Sequence, residues 1–140
     1  MILIGIDCAT QYRNVGIARG SYRDGVALEA VEMGGPATED RLVEWIEGEE
    51  PCLIAMDAPL GWPDALSRSL VDHYAGRVLA DDAHALFRRR TDRFIRSRVG
   101  KQPLDVGADR IARTAHAALS LLHRLRERTG ERIPLAWEPD

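Results

Sequence analysis

Two carboxylates in this sequence stand where an apolar strand ends. Met1-Ile2-Leu3-Ile4-Gly5-Ile6 runs straight into Asp7, and Leu53-Ile54-Ala55-Met56 runs into Asp57, followed by Ala-Pro-Leu-Gly. Open α/β sheets gather ligands at the carboxyl ends of their strands. If the two strands are parallel neighbours, their backbones lie ~4.8 Å apart and both acids face one crevice. Two such groups repel unless a proton or a cation intervenes. Oxygen donors on a rigid frame suit Mg²⁺ or Mn²⁺. Two such ions ~3.5–4 Å apart activate water and stabilise the leaving oxygen in phosphodiester cleavage. Taken singly, each aspartate has a plainer role: Asp57 closes the loop before Pro59, and Asp7 bonds the turn backbone.

A second group of candidates is basic. Arg88-Arg89-Arg90, with Arg93, Arg96 and Arg98, is suited to gripping phosphates. Its plainer role is a solvated face paired with Asp81, Asp82 and Asp92. Asp92 and Asp109 are candidates to complete a metal shell, or else pair with Arg90, Arg93 or Arg113 at helical spacing. Trp62, in the loop after Asp57, either stacks on a base or closes the core. His116 and His123 are seven residues apart, ~10.5 Å along a helix, too far to share a metal. His84 follows Asp81 by one helical turn, a weak ligand pair, and His73 has no evident partner. The chain has no GxxxxGK[ST] or GxGxxG phosphate loop, and Ser67, Ser69 and Ser97 lack a nucleophile-elbow context.

These residues need a frame. Residues 1–7 read as a strand buried on both faces, Val15–Gly20 as a second and Val26–Gly34 as a third, with turns at CATQYRN and YRDG. Short connections imply an antiparallel meander. Gly34-Gly35-Pro36 breaks the chain, and Thr38 reads as a helix N-cap ahead of Glu39 and Asp40. Leu42, Trp45 and Ile46 form one apolar face, and the helix ends near Gly48. CLIAMD is then a fourth strand, and strand–helix–strand after a meander places it parallel to the first. The second half reads as helical: Asp64–His73, Asp81–Arg90 continuing through Asp92–Arg98, a loop over Gly100–Asp105, and Ala108–Thr129. In the last, Ile111, Ala112, Ala115, Ala118, Leu119, Leu122 and Leu125 form a stripe, stopped by Gly130. IPLAW begins another extended segment.

Composition narrows the class. The chain has 140 residues, 45% hydrophobic and 29% charged, which suits one globular domain with its own core. The expectation is a single domain over 1–140: a sheet core at 1–60, a helical region at 61–132 and the start of a further strand at 133–140. No apolar run reaches ~18 residues, and the apolar start has no basic leader, so the expected location is the cytoplasm. Cys8 and Cys52 are expected to be buried free thiols in a reducing compartment. The net charge of −3 hides an asymmetry: residues 1–76 balance to −8 and residues 77–140 to +5, with Lys101 the only lysine. Local positive charge allows a polyanionic partner such as nucleic acid, while the total argues against avid non-specific binding.

Three antiparallel strands, a helix, a parallel fourth strand and acids ending strands one and four resemble the ribonuclease H-like fold. GIDCAT, IAMDAPLGWP, FRRRTDRFIRS and GKQPLDVGADRIARTAHAALSLL look more specifically like the domain-of-unknown-function family 429, described as ribonuclease H-like nucleases by prediction. The resemblance covers nearly the whole chain. It implies a metal-dependent nuclease in which Asp7 and Asp57 hold Mg²⁺ or Mn²⁺ and Asp92 or Asp109 completes the catalytic set. Arg90, Thr91 and Lys101, with Trp62, would then bind substrate. Asp105 and Gly107 depart from the serines frequent at those positions in relatives. Against the family pattern, a further acid-bearing strand after PLAW is expected to be missing. An open edge beside strand four would then invite a second copy. The alternatives are an actin- or sugar-kinase-like ATP-binding phosphotransferase, whose Gly-rich phosphate hairpin DCATQYRNVG lacks, and a non-catalytic binding module of the same fold.

Overall fold

The computed structural model describes residues 1–107 and 109–136, the side chain of Asp109 excepted. The chain divides into two compact units, Met1–Ala58 with His116–Asp140, and Pro59–Ala115.

The first unit is built on a four-stranded sheet: β1 (Ile2–Asp7), β2 (Gly16–Tyr22), β3 (Val26–Met33) and β4 (Cys52–Met56), in the order β3-β2-β1-β4. β1 pairs antiparallel with β2, and β2 with β3, as short turns demand. β4 pairs parallel with β1, from Ile2↔Cys52 to Ile6↔Met56. The crossover between β3 and β4 carries helix α1 (Thr38–Ile46). The meander, the crossover helix and the parallel fourth strand are as the sequence pattern predicts.

Alternation along β1 decides the two sheet faces. Ile2, Ile4 and Ile6 are buried with Val15 and Ile17, against Leu42, Trp45 and Ile46 of α1 and Leu121 and Leu125 further along the chain. Cys52, Ile54 and Met56 of β4 pack on the same cluster. Leu3, Gly5 and Asp7, with Leu53, Ala55 and Asp57, therefore point to the opposite face.

Thr38 is the first residue of α1 rather than its cap. Its hydroxyl accepts a hydrogen bond from the Gly35 amide (2.7 Å) and donates to the Gly35 carbonyl (2.8 Å). The threonine thus closes the turn that starts the helix, a use of Ser/Thr that competes with capping.

The second unit contains α2 (Asp64–Leu70), α3 (Ala83–Phe87), α4 (Arg90–Val99) and the first residues of α5 (Asp109–Thr129). Leu66, Leu86, Val106 and Ala115 are among its buried apolar side chains. α2 stops three residues before His73, and α3 is a short helix separated from α4 by an extended Arg88-Arg89. α5 then carries Leu121, Leu122 and Leu125 into burial, with Leu121 joining the predicted stripe. Residues 131–135 are irregular, and the Ile133 carbonyl accepts from Nε (3.2 Å) and Nη2 (2.6 Å) of Arg126. Trp137–Asp140, where the predicted extended segment would continue, lie outside the described residues.

Candidate functional site

The register of β1 and β4 places the two strand-end acids side by side. Ile6 is level with Met56, and the Asp57 amide donates to the Ile6 carbonyl at 2.9 Å, so hydrogen bonding runs up to the two acids. Asp7 and Asp57 share the face away from the hydrophobic cluster, and both are exposed. Neither side chain has a hydrogen bond or ion pair with any described residue. On the other flank of Asp7 stands Gly16, its partner in β2. A Cβ at Gly16 would lie 3.4 Å from the Asp7 Cβ and 3.8 Å from its Oδ2. A side-chain carbon there would make ordinary van der Waals contact with the aspartate, so Gly16 marks the neighbour of Asp7 by pairing register, which the sequence alone did not single out.

Cys8 reports the field of the pair. Its thiol is half-buried, and its pKa is raised from 9.0 to about 11 by burial first, then by the charges of Asp57 and Asp7. Both cysteines are free thiols, and burial raises Cys52 as well, followed by the charge of Glu131. The neighbouring groove, about 450 Å³, runs between the β1–β2 connection and α5 and is lined by Cys8, Thr10, Tyr12, His116, Ser120 and Arg124 among others. Its rim is tied by Arg124, which donates to Glu39 (2.7 Å) and to the Tyr12 hydroxyl, itself bonded to Glu39. Arg128 adds an ion pair with Glu39 (3.7 Å) and donates to Asp40 (2.6 Å). These ties pin α1, α5 and the hairpin of the first unit around the strand ends. Pairs of residues 85 to 112 positions apart are not visible to a reading by local spacing.

The remaining candidates belong to the second unit. Asp92 is buried at 3% exposure. Its Oδ2 accepts from the backbone amide (2.9 Å) and Nε (3.0 Å) of Arg89, and its Oδ1 accepts from Arg89 Nη2 (2.7 Å). Both oxygens are thus engaged in fastening the first turn of α4. Arg90, Thr91 and Lys101 are exposed, and Trp62 is 38% exposed. Within the arginine run, Arg88 pairs with Asp105 and Arg96 donates to Gln102, while Asp81 accepts from Ser69. The side chain of Asp109 lies outside the described residues. Among the described residues no group of three or more His, Cys, Asp or Glu is gathered as a metal cage. No described helix is long and apolar enough to cross a membrane.

The sheet is mixed, of order β3-β2-β1-β4, with a crossover helix and with acids ending β1 and the edge strand β4: an α/β arrangement with the strand order and acid placement expected of the ribonuclease H-like class. Residues 5–137 match the family described as Protein of unknown function (DUF429), and the chain belongs to it. No curated protein matches the chain. Among solved structures, one titled Thermus thermophilus RuvC structure is similar over 93% of this chain and 97% of that chain, at 14% identity and a TM-score of 0.24. A likeness of that degree assigns no residue and no activity.

Proposed function

We propose that this protein is a divalent-metal-dependent nuclease that hydrolyses phosphodiesters in nucleic acid. The observation that carries the reading is the pairing of Asp7 with Asp57: two exposed carboxylates at the ends of adjacent parallel strands, on one face, without a basic partner among the described residues. Such a donor set fits Mg²⁺ or Mn²⁺, which are commonly held by one or two carboxylates with water and substrate phosphate filling the other positions. An ion held there would supply Lewis acidity and a water of lowered pKa. The protein's own part is to hold both acids on a hydrogen-bonded frame, so that like charges stay close without rearranging. Arg90, Thr91 and Lys101 would contact substrate phosphates, and Trp62 would stack on a base, all as exposed groups of the second unit. Asp109 remains the proposed third carboxylate. Asp92 is less suited to that part because Arg89 occupies both its oxygens.

The test is cleavage of labelled single-stranded and duplex DNA, RNA and a hybrid with Mg²⁺ or Mn²⁺, comparing wild type with Asp57→Asn. The expected result is cleavage by wild type that chelation and the substitution both abolish. Cleavage that survives Asp57→Asn would refute the site. No cleavage of any substrate would refute the nuclease reading and favour a binding module.

A further inference from the structure

Helix α4 is exposed at every position but one. From Arg90 to Val99 only Asp92 is buried, and the exposed residues include Phe94 (58%), Ile95 (43%) and Val99 (68%). Between residues 89 and 101 the sequence has six basic residues and one acid. That acid is spent on Arg89. Arg90, Arg93 and Arg98 have no acidic partner among the described residues.

The order of these residues on the helix matters more than their number. Arg90, Phe94 and Arg98 recur every four positions and form one stripe, ~12 Å long. The Arg98 guanidinium lies over the Phe94 ring, 5.6 Å from its centroid. Ser97 and Thr91 flank the stripe. An aromatic ring set between cations is the arrangement that takes a base on the ring and phosphates on the arginines. A helix built to lie on an anionic membrane instead separates a broad apolar face from its cations. Here Arg98 sits between Phe94 and Ile95 around the helix, which breaks any such face.

We infer that the Arg90–Phe94–Arg98 stripe of α4 is a docking surface for single-stranded nucleic acid, with a base stacked on Phe94 and the backbone held by the flanking arginines. Charge complementarity argues for a polyanion, and the exposed ring argues for an unpaired base, because a duplex hides its base faces. The inference deepens the nuclease reading by naming the strand state of its substrate. It stands or falls separately, because binding needs no metal and no carboxylate.

The experiment is fluorescence anisotropy of labelled dT20, U20 and a 20-base-pair duplex in EDTA, across a salt series, with anionic phosphatidylglycerol vesicles as a parallel probe. Wild type is expected to bind the single strands, and the duplex more weakly. Phe94→Ala should weaken single-strand binding about 5- to 100-fold. Arg98→Ala should lower the slope of log K against log[salt] by about 0.7. Both side chains are exposed, and an unchanged circular dichroism melt would show that the variants fold. Single-strand binding untouched by Phe94→Ala, a preference for duplex, binding to vesicles only, or no binding would each overturn the inference. Lost cleavage with binding intact would count against the nuclease reading alone. Cleavage with no role for Phe94 would count against this surface alone.

Discussion

Cys8 offers a measurement of the two-carboxylate site that needs neither substrate nor turnover. Its thiol pKa stands at about 11 against an ordinary 9.0, with burial the larger cause and Asp57 the next. At pH 8 the folded protein should therefore hold roughly a hundredfold less Cys8 thiolate than an unfolded chain, and only the thiolate is alkylated. Asp57→Asn removes one negative charge beside the thiol. A unit charge ~6 Å away through water is worth about 0.7 kcal/mol, roughly a threefold change in ionisation. Because burial holds the larger share of the hundredfold, Asp57 accounts for less than about tenfold. Iodoacetamide labelling of Cys8, followed by peptide mass in a Cys52→Ala background at low salt, should thus run about 3- to 10-fold faster in Asp57→Asn. Saturating Mg²⁺ should accelerate the wild type in the same direction, and chelation should reverse it. A rate within error of wild type would refute the reasoning, since it would mean that Asp57 does not stand beside Asp7 and Cys8.

The same thiol links stability to alkaline pH. A raised folded pKa stabilises fully below the unfolded value, so this contribution is present below pH 9.0 and is lost as pH rises to about 11. Solvent screening of a half-exposed thiol keeps this contribution small, and Cys8→Ala should flatten that part of a denaturant-unfolding profile. Asp92→Ala should leave the Arg89 guanidinium without its buried partner and α4 without its fastening. A loss of about 1–3 kcal/mol is expected, seen as faster amide exchange and proteolysis within 88–100. Exchange unchanged there would show that the pair does not hold the helix.

Much of the sheet was legible because each strand announces itself locally. The near-continuous apolar run of β1, the Asp24-Gly25 turn and the Gly34-Gly35-Pro36 break mark elements by rules that act over a few residues. The parallel placement of β4 followed from connection length and handedness. The helices were harder. The boundary between α3 and α4 falls at Arg88-Arg89, where no Gly or Pro marks it; the extended backbone there is held by a side-chain bond from Arg89 to a residue three positions on. Thr38 read as a helix N-cap, whereas in the structure it is the first helical residue and its hydroxyl closes onto Gly35.

By itself the sequence determined that acids stand at the ends of two apolar strands, that a meander precedes a crossover, and that positive charge gathers in the second half. These are matters of residue type and local spacing. Only the tertiary structure decided which acids share a face. Side chains alternate along a strand, so one residue of slippage between β1 and β4 would have turned Asp57 to the opposite face from Asp7. Tertiary structure likewise turned Asp92 inward onto Arg89 and left Phe94 outward among arginines. Those choices rest on pairing register and burial, properties of the folded surface that no local pattern contains.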